Sequence, residues 1–301
     1  EGATAGRALT SNSLVRGVCF TGSTETASLI DRALAKHADP DCRLLAETGG
    51  LNTMIIDSTA LLEQAVRDIV ASSFQSAGQR CSALRILCVQ KDIEKPLLEM
   101  LEGAAQQLVI GDPWDKATDV GPVIDEEARR GINDYCEQMT QKGRLLFQLP
   151  LPEGTDKGYF VPPTAFRLDS LDELKQEIFG PILHVYSFDV KNLDQLVETI
   201  NSSGFGLTMG VQSRIDIRVS RICHAARVGN IYVNRNQIGA VVGVQPFGGE
   251  GLSGTGPKAG GPHYLRRFYR SAEMVTDELP GIEREVDKRI RSDSSILKQL
   301  K

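Results

Sequence analysis

The stretch FQSAGQRCSALRILCVQ, residues 74–90, joins the end of an apolar helix pattern to an apolar strand pattern. It carries two cysteines seven positions apart, Cys81 and Cys88. Within LRILCV, the alternation of side chains places Cys88 on the same strand face as Leu84 and Ile86. A small side chain in that position is expected to be a buried core residue, so we predict no chemistry for Cys88.

Cys81 occupies a different position, at the junction between the helix pattern and the strand pattern. It follows Gly78, and backbone amides at such a junction can face a ligand. Arg80 and Arg85 are close in the sequence, and we expect their charges to favour the thiolate, which is the reactive form of cysteine. From these residues alone, a structural cysteine and a nucleophile are equally well supported.

Helix and strand patterns alternate through most of the chain. The predicted helices cover residues 24–37, 60–77, 93–108, 125–141, 192–200 and 214–226. The predicted strands cover residues 15–20, 44–47, 84–89, 158–166, 181–190 and 230–234. Strands that alternate with helices of this length predict an α/β fold with a largely parallel sheet.

The composition excludes several classes of protein. The chain has 301 residues and a net charge of −5, which gives no electrostatic reason to expect a nucleic acid as partner. No apolar run approaches the roughly 18 residues that a membrane span requires. The six cysteines form no C-x-x-C pair and no spacing typical of zinc ligands, so we expect reduced thiols and no metal site.

Residues 239–262, GAVVGVQPFGGEGLSGTGPKAGGP, are rich in glycine, and we expect a loop that passes close to another group. The segment contains a G-x-G-x-x-G spacing at Gly249, Gly251 and Gly254. A dinucleotide fingerprint requires a strand before this motif and a helix after it, whereas Pro257 and a further Gly-Gly-Pro follow here. We therefore reject a dinucleotide site in this loop.

Four further motifs surround the cysteine of GQRC. They are FTGS at 20–23, LAETGGLN at 45–52, EIFGP at 177–181 and PFGG at 246–249. In this order around a G-Q-x-C cysteine, they resemble the aldehyde dehydrogenase superfamily over nearly the whole chain, to about residue 276. The longer runs ETGGLN, GQRCSALR and 229–262 are similar to the L-glutamate γ-semialdehyde (1-pyrroline-5-carboxylate) dehydrogenases. Within that group, they most resemble the dehydrogenase module of the bifunctional flavoenzyme family proline utilization A.

The resemblance implies a fold and a division into domains. The implied fold is α/β and aldehyde-dehydrogenase-like, with a parallel-sheet catalytic domain and the C-terminal part of a Rossmann-type NAD-binding domain. We expect the partial NAD-binding domain to cover residues 1–50 and the nucleophile-bearing catalytic domain residues 51–250. Residues 251–276 are expected to form a return or oligomerisation segment, and residues 277–301 a charged, solvated tail.

One departure from the family pattern concerns its upstream half. The family has a Pro-Trp-Asn-type motif, whose Asn stabilises the oxyanion, and a Lys that contacts the adenosine ribose. Neither has a counterpart here, where the one tryptophan is Trp114. We therefore expect these 301 residues to be a fragment of a longer polypeptide, with weak NAD binding and little dehydrogenase activity alone.

The resemblance also assigns the chemistry to two residues. The family's nucleophile aligns with Cys81, whose thiolate adds to the aldehyde carbon and later carries a thioester. The family's general base aligns with Glu47, which activates the water that hydrolyses the thioester. Without the resemblance, Glu47 is an ordinary acid in a loop, and the Gly-Gly beside it leaves the carboxylate room to move.

The implied cofactor is NAD, and FAD is implied only for a proline dehydrogenase part that this chain does not contain. The residues expected to bind NAD are Thr21, Gly22, Ser23, Gly49, Glu177 and Phe179. Thr21, Gly22 and Ser23 form a turn that opens a helix, and the N-terminus of this helix favours the pyrophosphate. Glu177 and Phe179 are expected to contact the nicotinamide ribose and ring. The residues expected to bind the substrate are Arg80, Ser82, Gly239, Ala240 and Phe247. Fixed backbone amides of the Gly-Ala pair suit the substrate's α-carboxylate.

The implied reaction is the NAD-dependent oxidation of L-glutamate γ-semialdehyde to L-glutamate, the second step of proline catabolism. The implied partners are the aldehyde, a fused or channelling flavin proline dehydrogenase domain, and further copies of the chain in a homo-oligomer. We expect a cytoplasmic enzyme whose parent protein can be peripheral at the inner membrane.

Two alternatives stay open. The chain could be another NAD-dependent semialdehyde dehydrogenase, for instance for succinic semialdehyde, but a cation clamp would then replace the Gly239-Ala240 loop. It could also be a non-catalytic member of the superfamily that is kept for oligomer contacts. Such a relic would be free to lose the nucleophile and the base, whereas this chain keeps both Cys81 and Glu47.

Overall fold

The computed structural model describes residues 2–269 of the chain. Its α-helices are α1 (Gly2–Thr10), α2 (Thr24–His37), α3 (Leu62–Phe74), α4 (Glu94–Ala105), α5 (Glu126–Gln141), α6 (Leu193–Ser202) and α7 (Asp216–Ala225). Its strands are β1 (Gly17–Gly22), β2 (Arg43–Thr48), β3 (Thr53–Ile56), β4 (Ile86–Gln90), β5 (Leu145–Gln148), β6 (Thr164–Leu168), β7 (Ile182–Phe188), β8 (Phe205–Gly206), β9 (Thr208–Gln212), β10 (Asn230–Val233) and β11 (Glu250–Gly251). Strands and helices alternate along most of this length, which confirms the predicted α/β class.

Seven strands of the described residues form one sheet, the main sheet, in the order β10-β9-β3-β4-β7-β6-β5. Its neighbouring strands are parallel except for β5 and β6, which pair antiparallel at one edge. Helix α3 connects β3 to β4, and α7 connects β9 to β10, as crossovers between parallel neighbours require. The predicted, largely parallel sheet is confirmed.

Strand β3 lies in the middle of the main sheet, between β9 and β4, although the sequence patterns did not predict it. All four of its residues, Thr53–Ile56, are buried, so no alternation of apolar and polar side chains marks it. Strands β5 and β9 and helix α1 were also absent from the prediction. The strand predicted over 158–166 begins only at Thr164, because the two prolines before it cannot donate to a ladder.

The core lies against the main sheet. Strand β4 is buried along its whole length, and Cys88 within it has no exposed surface, as the alternation predicted. Helix α3 packs Ile69 and Phe74, both completely buried, into the same core. Burying a side chain of that size contributes about 1.5–3 kcal/mol. The end of α3, and the loop that follows it, are therefore held firmly beside the sheet.

Strands β1 and β2 form a separate parallel pair, the small sheet, and α2 connects them. Ser23 caps the N-terminus of α2, since its Oγ accepts a hydrogen bond from the amide of Thr26 at 3.1 Å. The register of the pair places Thr21 opposite Glu47 and Gly22 opposite Thr48. The turn after β1 and the end of β2 therefore share the carboxyl edge of the small sheet.

Two compact units divide the chain at Gly261. In the second unit, the structure describes residues 262–269, which contain the short 3₁₀ helix Tyr264–Phe268. The predicted domain limits near residues 50 and 250 stay predictions, although the first falls between the small sheet and β3. The predicted charged tail, 277–301, lies outside the described residues.

Within residues 2–269, no helix is both long enough and apolar enough to cross a membrane. The same range holds no cluster of His, Cys, Asp and Glu side chains arranged to bind a metal ion.

Candidate active site

The predicted catalytic residues meet between the carboxyl edge of the small sheet and the amino edge of the main sheet. Glu47 lies near the end of β2, and Cys81 lies in the loop before β4. Glu177 comes from the loop before β7. Burial raises the pKa of the Cys81 thiol, and the charges of Glu177 and Glu47 raise it further, so both carboxylates lie close enough to act on the thiol.

Glu47 is half-buried beneath the glycine-rich segment. The amide of Gly249 donates to Oε2 of Glu47 at 3.0 Å, and Gly254 lies opposite Glu47 in an antiparallel bridge. A Cβ on Gly248 would lie 2.9 Å from Oε1 of Glu47, so small residues are needed here. The segment does pass close to another group, as expected, and that group is a carboxylate.

The environment of Glu47 adjusts its basicity. Burial raises the pKa of this carboxyl group, whereas the hydrogen bond from Gly249 lowers it. Because the net shift is upward, the carboxylate accepts a proton more readily than an exposed glutamate does. That property suits a general base at neutral pH.

The loop that carries Cys81 begins with a sharp change of backbone direction. Helix α3 ends at Phe74, earlier than predicted, and residues 76–78 adopt left-handed conformations with φ of 57°, 52° and 65°. A Cβ on Gly78 would lie 2.0 Å from the carbonyl oxygen of Gly180. Glycine is therefore required, because it lets the loop before β7 approach residues 75–85, here called the nucleophile loop after the predicted role of Cys81.

The charges around Cys81 differ from those expected. Arg85 is completely buried, and its Nη2 lies 2.9 Å from Oε1 of Glu177 in an ion pair. Burial raises the pKa of Cys81 and Glu177 raises it next, while hydrogen bonds from the amides of Ser82 and Cys81 lower it. The charge of the Cys81 thiolate raises the pKa of Arg85, so the two groups attract each other, and the expected effect of Arg80 stays a prediction. The charge of Arg85 is balanced by a carboxylate that acts on the same thiol.

Glu177 and Phe179 present a polar and an apolar surface on one wall of the site. Oε2 of Glu177 packs against Gly49, where an added Cβ would lie 1.7 Å from that oxygen. Phe179 is 43% exposed, and the guanidinium of Arg85 lies 5.2 Å from the centre of its ring. A fixed hydrogen-bond acceptor beside an accessible aromatic ring fits a nicotinamide nucleoside.

The other predicted cofactor residues lie on the small sheet. Thr21, Gly22 and Ser23 are exposed at the N-terminus of α2, where backbone amides and the helix dipole favour an anion. The register of the small sheet brings Thr21 beside Glu47. An exposed helix N-terminus at one end and Glu177 with Phe179 at the other fit a pyridine dinucleotide.

Three of the predicted substrate residues meet at the nucleophile loop. Arg80 is exposed, and its Nη1 donates to the carbonyl of Ile238 at 3.5 Å, which joins the nucleophile loop to the start of the Gly239-Ala240 pair. Gly239 is half-buried and Ala240 is exposed. An exposed cation beside accessible loop amides is a suitable environment for a carboxylate.

The remaining two predicted substrate residues lie elsewhere. Ser82 follows Cys81 and is buried. Phe247 is half-buried and exchanges two backbone hydrogen bonds with Ala259, at 3.0 and 2.9 Å. It therefore belongs to the part of the glycine-rich segment that covers Glu47.

Asn52 was not predicted as a site residue. It is 2% exposed, and its Nδ2 donates to the carbonyls of Cys81 and Ala83, at 2.6 and 2.9 Å. The sequence feature that could have indicated Asn52 is its position, as a polar residue between Gly49-Gly50 and the apolar run of β3. A buried asparagine in such a position needs several partners, and the adjacent loop is the nearest source.

Comparison with known proteins assigns relatives to the chain. Residues 1–274 match the aldehyde dehydrogenase family. Bifunctional protein PutA of Klebsiella aerogenes is 53% identical over 304 residues, which cover 97% of this chain and 23% of that protein. The 1-pyrroline-5-carboxylate dehydrogenase of Geobacillus kaustophilus (strain HTA426) is 40% identical over 271 residues, which cover 88% of this chain and 52% of that protein.

Solved structures agree with these relatives. A crystal structure of Bradyrhizobium japonicum proline utilization A superposes with a TM-score of 0.85 at 55% identity, covering 88% of this chain and 27% of that one. A Thermus 1-pyrroline-5-carboxylate dehydrogenase with bound NAD superposes with a TM-score of 0.82 at 36% identity, covering 89% and 52%. The chain thus spans about half the length of the shorter relatives and about a quarter of the bifunctional ones.

Proposed function

Because the chain belongs to the aldehyde dehydrogenase family, we propose that its full-length protein oxidises L-glutamate γ-semialdehyde, the open form of 1-pyrroline-5-carboxylate, to L-glutamate with NAD⁺. Relatives named 1-pyrroline-5-carboxylate dehydrogenase, and a structural neighbour solved with bound NAD, support this reaction. The observation that carries the proposal is the meeting of one thiol with two carboxylates. Cys81 lies in the electrostatic reach of both Glu47 and Glu177.

Cys81 is the nucleophile in this proposal. Its proton has to leave first, because burial and the charge of Glu177 raise the pKa of the thiol. In this proposal Glu47, whose own pKa is raised by burial and whose charge acts on the thiol, takes that proton. As the bond between Sγ and the aldehyde carbon forms, the carbonyl electron pair moves to the oxygen. The amides of Cys81 and Ser82, which already donate towards the thiol, lie beside that developing charge.

Glu177 and Phe179 hold the cofactor. When bound, the oxidised nicotinamide supplies the acceptor for the hydride of the aldehyde carbon. Glu177 accepts hydrogen bonds from ribose hydroxyls, and its ion pair with Arg85 keeps the carboxylate in one orientation. Phe179 places an apolar face against the ring and excludes water from that side.

Glu47 then serves the hydrolysis of the thioester on Cys81. After releasing the thiol proton to solvent, Glu47 takes a proton from water while the water oxygen bonds to the acyl carbon, and the carbon–sulfur bond then breaks. The electron pair of that bond returns to Cys81 as the thiolate, and the product leaves as a carboxylate once its remaining acidic proton has passed to solvent. The hydrogen bond from Gly249 occupies Oε2 of Glu47 and leaves Oε1 for the water.

The choice of substrate rests on a second anion site. In this proposal the amides of Gly239 and Ala240 bind the α-carboxylate of the semialdehyde. The guanidinium of Arg80, whose Nη1 donates to the carbonyl of the neighbouring Ile238, adds attraction. Succinic semialdehyde lacks the α-amino group and has one carbon fewer between its aldehyde and its carboxylate. With its aldehyde at Cys81, its carboxylate therefore fits this loop less well.

We further propose that the full-length protein receives its substrate from a flavin-dependent proline dehydrogenase carried in the same polypeptide. Relatives called bifunctional protein PutA, of which this chain covers 23%, support this arrangement. Further copies of the chain in a homo-oligomer complete the set of proposed partners.

The test is NADH formation by the full-length protein with Δ1-pyrroline-5-carboxylate and, in parallel, with succinic semialdehyde. We expect a kcat/KM for the former that is higher by about 10²-fold or more, because polar groups of the site stay unpaired with the latter. Equal values would favour a less specific semialdehyde dehydrogenase. No turnover with either aldehyde would overturn the proposal in favour of a non-catalytic member of the family.

A further inference from the structure

The backbone of the nucleophile loop is held through its carbonyl groups. Arg85 Nη2 donates to the carbonyl of Arg80 at 3.2 Å, and Thr208 Oγ1 donates to that of Ser82 at 3.1 Å. Asn52 Nδ2 donates to the carbonyls of both Cys81 and Ala83. Four successive carbonyls, from residues 80–83, are thus bound by side chains that come from other parts of the site.

Asn52 donates two of these hydrogen bonds, and its side-chain oxygen and backbone carbonyl are hydrogen-bonded as well. Its Oδ1 accepts from the amide of Thr208 at 3.1 Å, and its backbone carbonyl accepts from the amides of Arg85 and Ile86 at 2.9 and 3.1 Å. A flipped side-chain amide would place Oδ1 against two carbonyl oxygens, so the hydrogen-bond partners determine its orientation. Because Asn52 is buried, no water can replace these bonds without a cost in stability.

Each bound carbonyl also orients an amide. In a trans peptide, the C=O of one residue and the N–H of the next point in opposite directions. The Cys81 carbonyl shares its peptide group with the Ser82 amide, so the bond from Asn52 turns that amide away from Asn52. On that side lies the Cys81 thiol, whose pKa is lowered by a hydrogen bond from the amide of Ser82.

We propose that Asn52 is a positioning residue for the nucleophile, which aims the amide of Ser82 at the sulfur by holding the carbonyl of Cys81. The inference rests on the proposed function only in taking Cys81 as the nucleophile. Thr208, in β9, binds a different carbonyl of the same loop. It holds the Ser82 carbonyl, whose peptide partner is the amide of Ala83, and that amide donates to the carbonyl of Arg80 at 2.9 Å rather than to the thiol.

The test compares Asn52→Ala with Thr208→Val in the full-length protein. The readout is the rate of alkylation of Cys81 by iodoacetamide as a function of pH, followed by mass spectrometry of the peptide that contains Cys81. Asn52→Ala should move the midpoint of this profile upwards by about one pH unit, because a hydrogen bond to the thiolate is lost. Thr208→Val removes a buried hydrogen bond from the same loop and should leave the midpoint unchanged.

The kinetics provide a second readout. Asn52→Ala should lower kcat by about 10–10²-fold, as expected for a misaligned amide donor, with little change in KM for NAD⁺. Should Asn52→Ala fail to fold, Asn52→Ser supplies the same comparison, because its short hydroxyl cannot span both carbonyls. An unchanged midpoint in the folded variant would overturn the inference, and equal shifts in Thr208→Val would reduce Asn52 to a structural role. The alkylation profile stays informative even if the wild-type protein oxidises no aldehyde, so the two proposals can fail separately.

Discussion

Cys81 and Cys88 lie in two adjoining regions that satisfy their backbone groups in different ways. In strand β4, the ladders to β3 and β7 place Cys88 between Ile55 and Tyr186 and use the peptide groups on both sides. In the nucleophile loop, side chains bind the carbonyls of residues 80–83 instead. The backbone amides of Cys81 and Ser82, which the ladder of a strand would use, are therefore available to donate to the Cys81 thiol.

The difference extends to the two thiols. Burial raises the pKa of Cys88, and no other group acts on it among the residues that the structure describes. Burial also raises the pKa of Cys81, but two carboxylates and two amides act on that thiol as well. A cysteine in a central strand is thus isolated by the sheet, whereas a cysteine in a loop held by side chains can be tuned. Reactivity here follows from how the neighbouring carbonyls are bound.

Replacing each cysteine by alanine tests this contrast most strongly. In the full-length protein, Cys81→Ala should lower kcat/KM by about 10⁴-fold or more, because the nucleophile is lost. Cys88→Ala should keep the activity and lower the free energy of unfolding by about 1–2 kcal/mol, because it leaves a small cavity in the core. Steady-state NADH formation and urea unfolding of both variants measure the two effects.

Labelling of the wild-type protein provides an independent check. Iodoacetamide should modify Cys81 in preference to Cys88, since Cys88 has no exposed surface. Equal labelling of the two sites, or an active Cys81→Ala variant, would contradict the assignment of the nucleophile.

The second prediction separates the formation of the thioester from its hydrolysis. Glu47→Gln should still give a burst of NADH when a general acceptor such as buffer base removes the thiol proton at raised pH. Steady turnover should fall by about 10²–10⁴-fold, the usual effect of removing a general base. Rapid-mixing kinetics measure the burst, and mass spectrometry of the quenched enzyme detects the acyl group on Cys81. Loss of the burst at every pH would place the defect before the thioester and contradict a role in hydrolysis.

Sequence patterns predicted the strands of the main sheet unevenly. The helices and the strand around Cys88 carry visible periodicity, and the structure confirms them with small changes at their ends. Strand β3 has four buried residues and no alternation, so nothing in its local pattern separates it from a loop between Gly50 and α3. Its position becomes evident only from its partners β4 and β9.

The site shows the same limit. The motifs selected Cys81 and Glu47 as the predicted nucleophile and base, because an ordered set of motifs carries more information than any residue by itself. They did not indicate that Glu177, 92 positions from Arg85 in the chain, pairs with this arginine and raises the pKa of the Cys81 thiol. Asn52 was overlooked for a related reason. A buried polar group is explained by the groups that it binds, and those lie about 30 residues downstream.

The third prediction has the smallest expected effect and concerns the point where the nucleophile loop enters β4. The carbonyl of Arg85 accepts from the backbone amide of His184 at 2.9 Å and lies 3.0 Å from its Nδ1. Nε2 of His184 lies 2.7 Å from the hydroxyl of Tyr135. A neutral ring that donates from Nδ1 and accepts at Nε2 satisfies both contacts. Burial lowers the pKa of His184 to about 4, which keeps the ring neutral at physiological pH.

This lowered pKa links stability to pH with a defined sign. An unfolded histidine has a pKa of about 6.5, so below that pH the unfolded chain binds a proton that the folded protein does not. Stability is therefore fully present above pH 6.5 and falls as the pH approaches 4. Between about pH 7.5 and about pH 5, His184 should account for a loss of about 2 kcal/mol. Urea unfolding at both pH values measures this loss of stability.

His184→Gln should be less stable than the wild type at both pH values. Its difference in stability between the two pH values should be smaller than that of the wild type by about 2 kcal/mol. The exposed His224 on α7 serves as the matched control, and His224→Gln should retain the full difference. If His184→Gln loses as much stability on acidification as the wild type does, the buried ring is not neutral and the hydrogen-bond assignment at the entry to β4 is wrong.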